Sequence, residues 1–201
     1  MRQSAFDFVG NLDTLLAVVI GAMLATIGGL IGEHFEDQIE RRRLERDAAR
    51  FFGEILVSID ALVDRALHSQ KFGDPWGPVT MRLFRTAMRE AEVYDRNRER
   101  LFHITSVELR ARIHFHAISE IFPLEAIIEG SEQVAAITEI LDDRGSLSQE
   151  RREKLEERLG IWLNSRRTAI EFIRDEREKT PAICSELEKL ARISFPVIPA
   201  P

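Results

Sequence analysis

The rhythm of apolar positions changes sharply a short way into this chain. From residue 14 to residue 32 the sequence TLLAVVIGAMLATIGGLIG carries no charged side chain, so the pattern is a continuous run rather than a stripe. At about 1.5 Å of helical rise per residue, such a run nearly crosses a bilayer core of roughly 30 Å. Leu15, Leu16, Val18, Val19, Ile20, Leu24, Ile27, Leu30 and Ile31 lie within it. Each favours insertion by about 0.3 to 0.6 kcal/mol, a gross gain of about 3 to 5 kcal/mol before glycine and threonine subtract from it. One transmembrane helix is expected.

Beyond the run the pattern becomes a helical stripe. Ala48, Phe52, Ile55, Ile59, Leu62 and Ala66 recur at spacings of four and three, widened by Phe51, Leu56 and Val63, which is one face of a long helix. No proline falls between residues 15 and 70, so span and stalk are expected to form one rod with Gly53 as its weakest point. The run Gly73-Asp74-Pro75-Trp76-Gly77-Pro78 ends it and turns the chain.

Further helices follow. One from about 78 to 97 groups Phe84, Ala87, Met88, Ala91 and Tyr94. Thr105-Ser106-Val107-Glu108 is a capping box with Ile104 and Leu109 as its staple, opening a helix to about Phe122. Pro123 suits the first turn of the next, which keeps Ile127, Gly130, Val134, Ile137 and Leu141 in step until 142–145 breaks it. Another begins near Ser148 with Leu155, Leu159, Trp162, Ala169 and Ile173 on its apolar side, interrupted by Arg166. The last takes Thr180 as cap and Pro181 in its first turn, with Ile183, Leu187 and Leu190 inward. The expected fold class is all-α: a tail over 1–13, a transmembrane helix over 14–32, a juxtamembrane stalk over 33–72, a cytoplasmic bundle of about five helices over 79–194, and a disordered or extended tail over 195–201.

The flanks distinguish an anchor from a signal peptide. A signal peptide has a basic start and a small-residue cleavage site, whereas here Asp7 and Asp13 outnumber Arg2 and the run exits into Glu33-His34-Phe35-Glu36. Arg41, Arg42, Arg43, Arg46 and Arg50 follow the span, and this excess keeps the following part inside, giving an N-out, C-in protein of the cytoplasmic membrane. Glu33, Glu36, Asp37, Glu40, Glu45 and Asp47 offset those arginines, so the collar reads as a solvated helix surface rather than a polybasic lipid site.

Charge and cysteine usage exclude more than they assign. The chain has 28 Lys and Arg against 34 Asp and Glu, a net charge of −6. Its cations are interleaved with glutamates, as in Gln149-Glu150-Arg151-Arg152-Glu153-Lys154, so no basic face for nucleic acid is expected. The single cysteine, Cys184, is close to Glu186 and Glu188, a setting that favours a structural thiol over a nucleophile and agrees with a reducing compartment.

Candidate chemistry is sparse. Ala17, Gly21, Ala25 and Gly29 are spaced by four, a ridge that permits close helix approach in lipid, and transmembrane self-association is expected there. Phe52, Ile55, Ile59 and Leu62 offer a second, coiled-coil-like seam in the stalk. His114 and His116 point about 200° apart on a helix and cannot share a metal there. Glu99 with His103 and His116 with Glu120 have the i,i+4 spacing of one face, which suits a surface ion pair more often than a metal ligand pair. Trp76 reads as a pin for its own loop, and as an interface anchor second. No H-E-x-x-H, P-loop, G-x-G-x-x-G or G-x-S-x-G motif is present, so no catalytic residue, metal or cofactor is assigned.

The layout is similar to that of many small bacterial membrane proteins with an amino-terminal anchor, an arginine collar and a helical domain, a likeness of plan that covers mainly residues 12–70 and transfers no site residue. The expected function is a membrane-anchored helical interaction or regulatory protein presenting a domain to an unknown protein partner, as a homo-oligomer and without nucleic acid. A single-pass signal transducer is the alternative, ahead of an enzyme or a metal-binding bundle.

Overall fold

A computed structural model describes residues 4–143 and 147–196. Among them the protein is all-helical, with five α-helices and one 3₁₀ helix and no strand. Helix α1 runs over Ser4–Ser69, α2 over Pro78–Arg96, the 3₁₀ helix over Arg98–His103, α3 over Val107–Asp142, α4 over Gln149–Arg177 and α5 over Thr180–Ala191. The chain divides into two units, Met1–Leu44 and Glu45–Pro201.

The first unit is the amino-terminal part of α1. Residues 4–13, expected as a tail, are helical, and residues 1–3 lie outside the described part. One helix here is long and apolar enough to cross a membrane, and the apolar window lies wholly unburied. Leu16, Val18, Val19, Ile20, Met23, Leu24 and Ile27 are all exposed. The Thr26 hydroxyl donates to the Ala22 carbonyl at 2.8 Å, so its polar group is satisfied within the helix itself, as an apolar solvent requires.

The second unit closes around the rest of α1. Ala48, Ala49, Phe52, Leu56, Ile59, Val63 and Ala66 are buried in a core with Phe84, Ala87 and Tyr94 of α2, Ile113 and Leu124 of α3, Ile173 of α4 and Leu187 of α5. Much of the stretch expected to stand apart as a stalk is therefore a central helix of the domain. Phe52, Ile55 and Ile59 are buried, and Leu62 packs against the same core. Their apolar surface is covered within the chain and does not form a free seam.

Capping fixes the helix starts. Ser148 accepts from the Arg151 N–H ahead of α4. At α3 the cap is Ser106, accepting from the Leu109 N–H at 3.2 Å, while the Thr105 N–H donates to Glu45 at 2.8 Å. Thr105 thus ties its loop to the first turn of the domain's part of α1.

Three local expectations are corrected. Helix α3 continues through Pro123 although the ring removes a donor to the carbonyl four residues back. Burial of Pro123, Leu124 and Ile127 against the bundle outweighs that loss. Lys179, not Thr180, stands at the cap of α5, and the Thr180 side chain turns inward. Phe195 is buried, not part of a free tail, and its N–H donates to Glu188 at 2.6 Å. Gly53 is the seat of that ring: a Cβ built there would stand 1.9 Å from Phe195 Cζ. The expected break at 142–145 falls partly on residues 144–146, and the rest of the expected tail on 197–201, both outside the described residues.

Candidate functional site

Where four helices meet, the domain buries charge. Position 60 on α1, positions 116 and 120 on α3, position 176 near the end of α4 and position 180 at the start of α5 supply Asp60, His116, Glu120, Glu176 and Thr180. The i,i+4 spacing of His116 and Glu120 puts both on the inner face of α3, so the pair expected at the surface is fully buried, with His116 3% and Glu120 0% exposed.

His116 uses both ring nitrogens. Nδ1 lies 3.0 Å from Glu176 Oε1 and Nε2 lies 2.9 Å from Thr180 Oγ1. A carboxylate only accepts, so Nδ1 carries a proton and donates to Glu176. Glu120 Oε1 stands 3.6 Å from Nε2, beyond a hydrogen bond, and the hydrogen bond open to the Glu120 carboxyl is to Asp60.

Burial first, then the neighbouring charge of Asp60, raises the Glu120 carboxyl well above the usual carboxylate range. Two adjacent carboxylates removed from water cannot both ionise cheaply, so Glu120 is the protonated member. Asp60 is also raised, by burial, with Arg177 and the Thr180 hydroxyl opposing. Burial alone would raise Glu176, but its bonds to Lys179, at 2.6 Å, and to His116 outweigh that and hold it below its ordinary value.

Arg177 supplies the counter-charge. Its Nη2 pairs with Asp64 at 2.6 Å and its Nε lies 3.4 Å from Asp60 Oδ1, an ion pair in which neither of the latter two atoms completes a hydrogen bond. A cavity of about 330 Å³ opens beside Asp60 and is lined also by Asp64, Arg177, Thr180, Cys184 and Phe195. Cys184 lies buried there, its thiol pushed up to about 12 by burial and then by Asp60 and Glu188. It is a protonated wall residue rather than a nucleophile. The array can hold one proton between Glu120 and Asp60, with the Thr180 hydroxyl placed between the His116 imidazole and Asp60.

The remaining candidates are dispersed. His114 Nδ1 pairs with the Tyr94 hydroxyl at 2.7 Å, away from His116. Glu99 and His103 are exposed on the 3₁₀ helix, where three residues per turn remove the i,i+4 alignment. Among the described residues no group of three or more His, Cys, Asp or Glu is arranged to hold a metal. Trp76 packs against the core beneath the Arg166 guanidinium, 3.6 Å from its ring centroid, which explains an arginine on the apolar side of α4. Ala17, Gly21, Ala25 and Gly29 are exposed, and a Cβ at Gly21 or Gly29 would meet nothing within 4 Å. Asp60 and Glu176 carried no signal in the sequence and Thr180 only that of a helix cap, since each sits in a helix far along the chain from α3.

No family model, curated protein or solved structure matches this chain.

Proposed function

We propose that the protein is a single-pass membrane-anchored helical regulatory protein, N-out and C-in in the cytoplasmic membrane, whose domain binds a protein partner. One observation carries the reading: the apolar part of α1 finds no cover among the described residues, with residues from Leu16 to Ile27 exposed. Apolar surface of that extent needs another solvent or another chain. The arginine excess after the run supports the orientation, and the ridge of Ala17, Gly21, Ala25 and Gly29 supports self-association.

Carbonate extraction of membranes tests the anchor, with retention in the pellet expected and release into the supernatant refuting it. A reporter fused after Pro201 tests orientation, since periplasmic activity would reverse it. Crosslinking of the detergent-solubilised full chain, followed by identification of what is captured, tests the partner-binding role. Recovery of the chain alone would remove the partner from the proposal and leave the anchor standing.

A second reading, a single-pass signal transducer, is favoured by α1 itself. The helix that bears the apolar run also contributes Asp60 to the buried cluster.

A further inference from the structure

The 3₁₀ helix and the start of α3 hold an apolar surface outward where the chain first enters the domain. A 3₁₀ helix stacks residues three apart, so Leu101 and Ile104 fall on one side, and both are buried. Phe102 lies between them in sequence and is turned outward, 78% exposed. It is held there by an ordered element rather than by a loose loop. Val107, 68% exposed in the first turn of α3, stands beside it. Together with Arg98, Arg110, Ala111 and His114 these residues line an open groove of about 410 Å³.

The lining carries two arginines, Arg98 and Arg110, and no carboxylate, and Asp95 pairs with Arg98 from outside it at 3.6 Å. The Arg110 guanidinium lies over the Phe102 ring, 5.8 Å from its centroid. Glu99 and Glu108 are neighbours in sequence but do not line it. The arginine collar of α1 is different, because carboxylates are interleaved through it.

Chain connectivity fixes what lies within reach. The Thr105 N–H donates to Glu45, the first residue of the compact unit, so the groove belongs to the end of the domain where α1 comes in. Glu45 follows the apolar run by only 13 residues. A short tether of this kind raises the local concentration of one surface above all others. Exposed phenylalanine flanked by arginine is the pairing that settles at a headgroup boundary, ring among the acyl ends and guanidinium on phosphate.

We propose that the groove of Phe102, Val107, Arg98 and Arg110 is a docking surface for anionic phospholipid headgroups of the membrane that α1 crosses. The proposal rests on the anchor reading above. Docking would limit the poses of the domain at the bilayer.

The test uses the full chain in lipid nanodiscs. In a Cys184→Ala background, Phe102→Cys carries an environment-sensitive NBD label, and Phe72→Cys, exposed beyond the far end of α1, carries it as the control. Emission at position 102 is expected to shift to the blue and to be largely quenched by doxyl-labelled lipid in discs containing phosphatidylglycerol, with much less quenching in phosphatidylcholine alone. Position 72 should not respond. Arg98→Glu with Arg110→Glu should abolish the response at 102.

Equal quenching at both positions, no quenching at 102, or quenching that survives the double charge reversal would overturn the proposal. A blue shift already present in detergent without phospholipid would overturn it in favour of a second copy or a protein partner. Carbonate extraction of the same proteins separates the two layers of inference: a retained but unquenched chain refutes docking alone, and a released chain refutes the anchor. Should the Cys184→Ala background misfold, hydrogen exchange of the unaltered chain decides, with residues 98–111 expected to exchange more slowly in anionic than in neutral discs.

Discussion

Helix α1 places similar apolar side chains in opposite surroundings. Before Leu44, Leu24 is 65% and Ile27 52% exposed, whereas after Glu45, Phe52 and Ile59 are at most 1% exposed. The domain, for its part, fully buries Glu120 beside Asp60, while the apolar run excludes charge altogether. Hydrophobic content alone therefore does not say which solvent a segment is built for. The difference lies in continuity: an apolar surface all round has no inward side, whereas a stripe does.

The comparison is broken most sharply by truncating one side chain of each kind. Phe52→Ala should destabilise the domain by about 3 to 5 kcal/mol, because it removes a buried ring and leaves a cavity. Leu24→Ala should leave domain unfolding unchanged. Both tryptophans, Trp76 and Trp162, lie in the second unit, so chemical unfolding in detergent followed by their fluorescence reads that unit. Equal effects of the two substitutions would mean that the apolar run is part of the core after all.

The buried carboxyl sharpens the contrast next. Glu120 has its folded value raised, by burial and then by Asp60, so the folded protein keeps this proton to higher pH than the unfolded chain does. The associated stability is complete below the unfolded value, roughly pH 4.3, and is lost as pH rises through the folded value. Asp60 acts in the same direction. Glu176 acts in the opposite one, its contribution falling away in acid. Glu120→Gln, which keeps the shape and cannot ionise, should flatten the decline on the alkaline side and raise Tm there. A decline as steep as in the parent protein would refute proton storage at this residue.

Gly53→Ala comes third. In an exposed helix interior this exchange stabilises by roughly 1 kcal/mol. Here the added Cβ meets the Phe195 ring, so a loss of about 1 to 3 kcal/mol is expected from overpacking. Gly53→Ala combined with Phe195→Ala should recover part of that loss relative to Phe195→Ala alone. Strict additivity would place the ring elsewhere.

The smallest effect belongs to the unburied part. Gly21→Ile with Gly29→Ile should weaken oligomerisation in a membrane crosslinking assay while leaving carbonate-resistant insertion intact, since both changes add apolar volume and remove only the close approach. An unchanged oligomer would move the contact off this ridge.

Sequence legibility followed periodicity. The apolar run, the stripe through Phe52 and Ile59, the start of α4 after Ser148 and the turn around Pro75 were all visible, because each is written in neighbouring residues. Pro123 misled, since a local breaker was judged without the packing that overrides it. Helix α3 has apolar residues on both sides, with Ile113 and Leu124 inward and Phe115 and Phe122 outward, so its stripe does not announce which face is the core. His116 and Glu120 were recognisable as a pair, yet their burial depends on Asp60, Glu176 and Thr180, which only tertiary structure brings near. A polar residue facing a buried polar partner has the same letter as one facing water.

Phe195 on Gly53 has a bearing on how the chain comes to be folded. The contact joins residues 142 positions apart, and pairings of such separation are late and slow, because a long loop must close before they return anything. During synthesis the face of α1 around Gly53 stays open until α5 and the segment after it have left the ribosome. Closure of the domain therefore waits on that segment, and the nascent chain presents an unfinished groove on α1 to whatever attends it in the meantime.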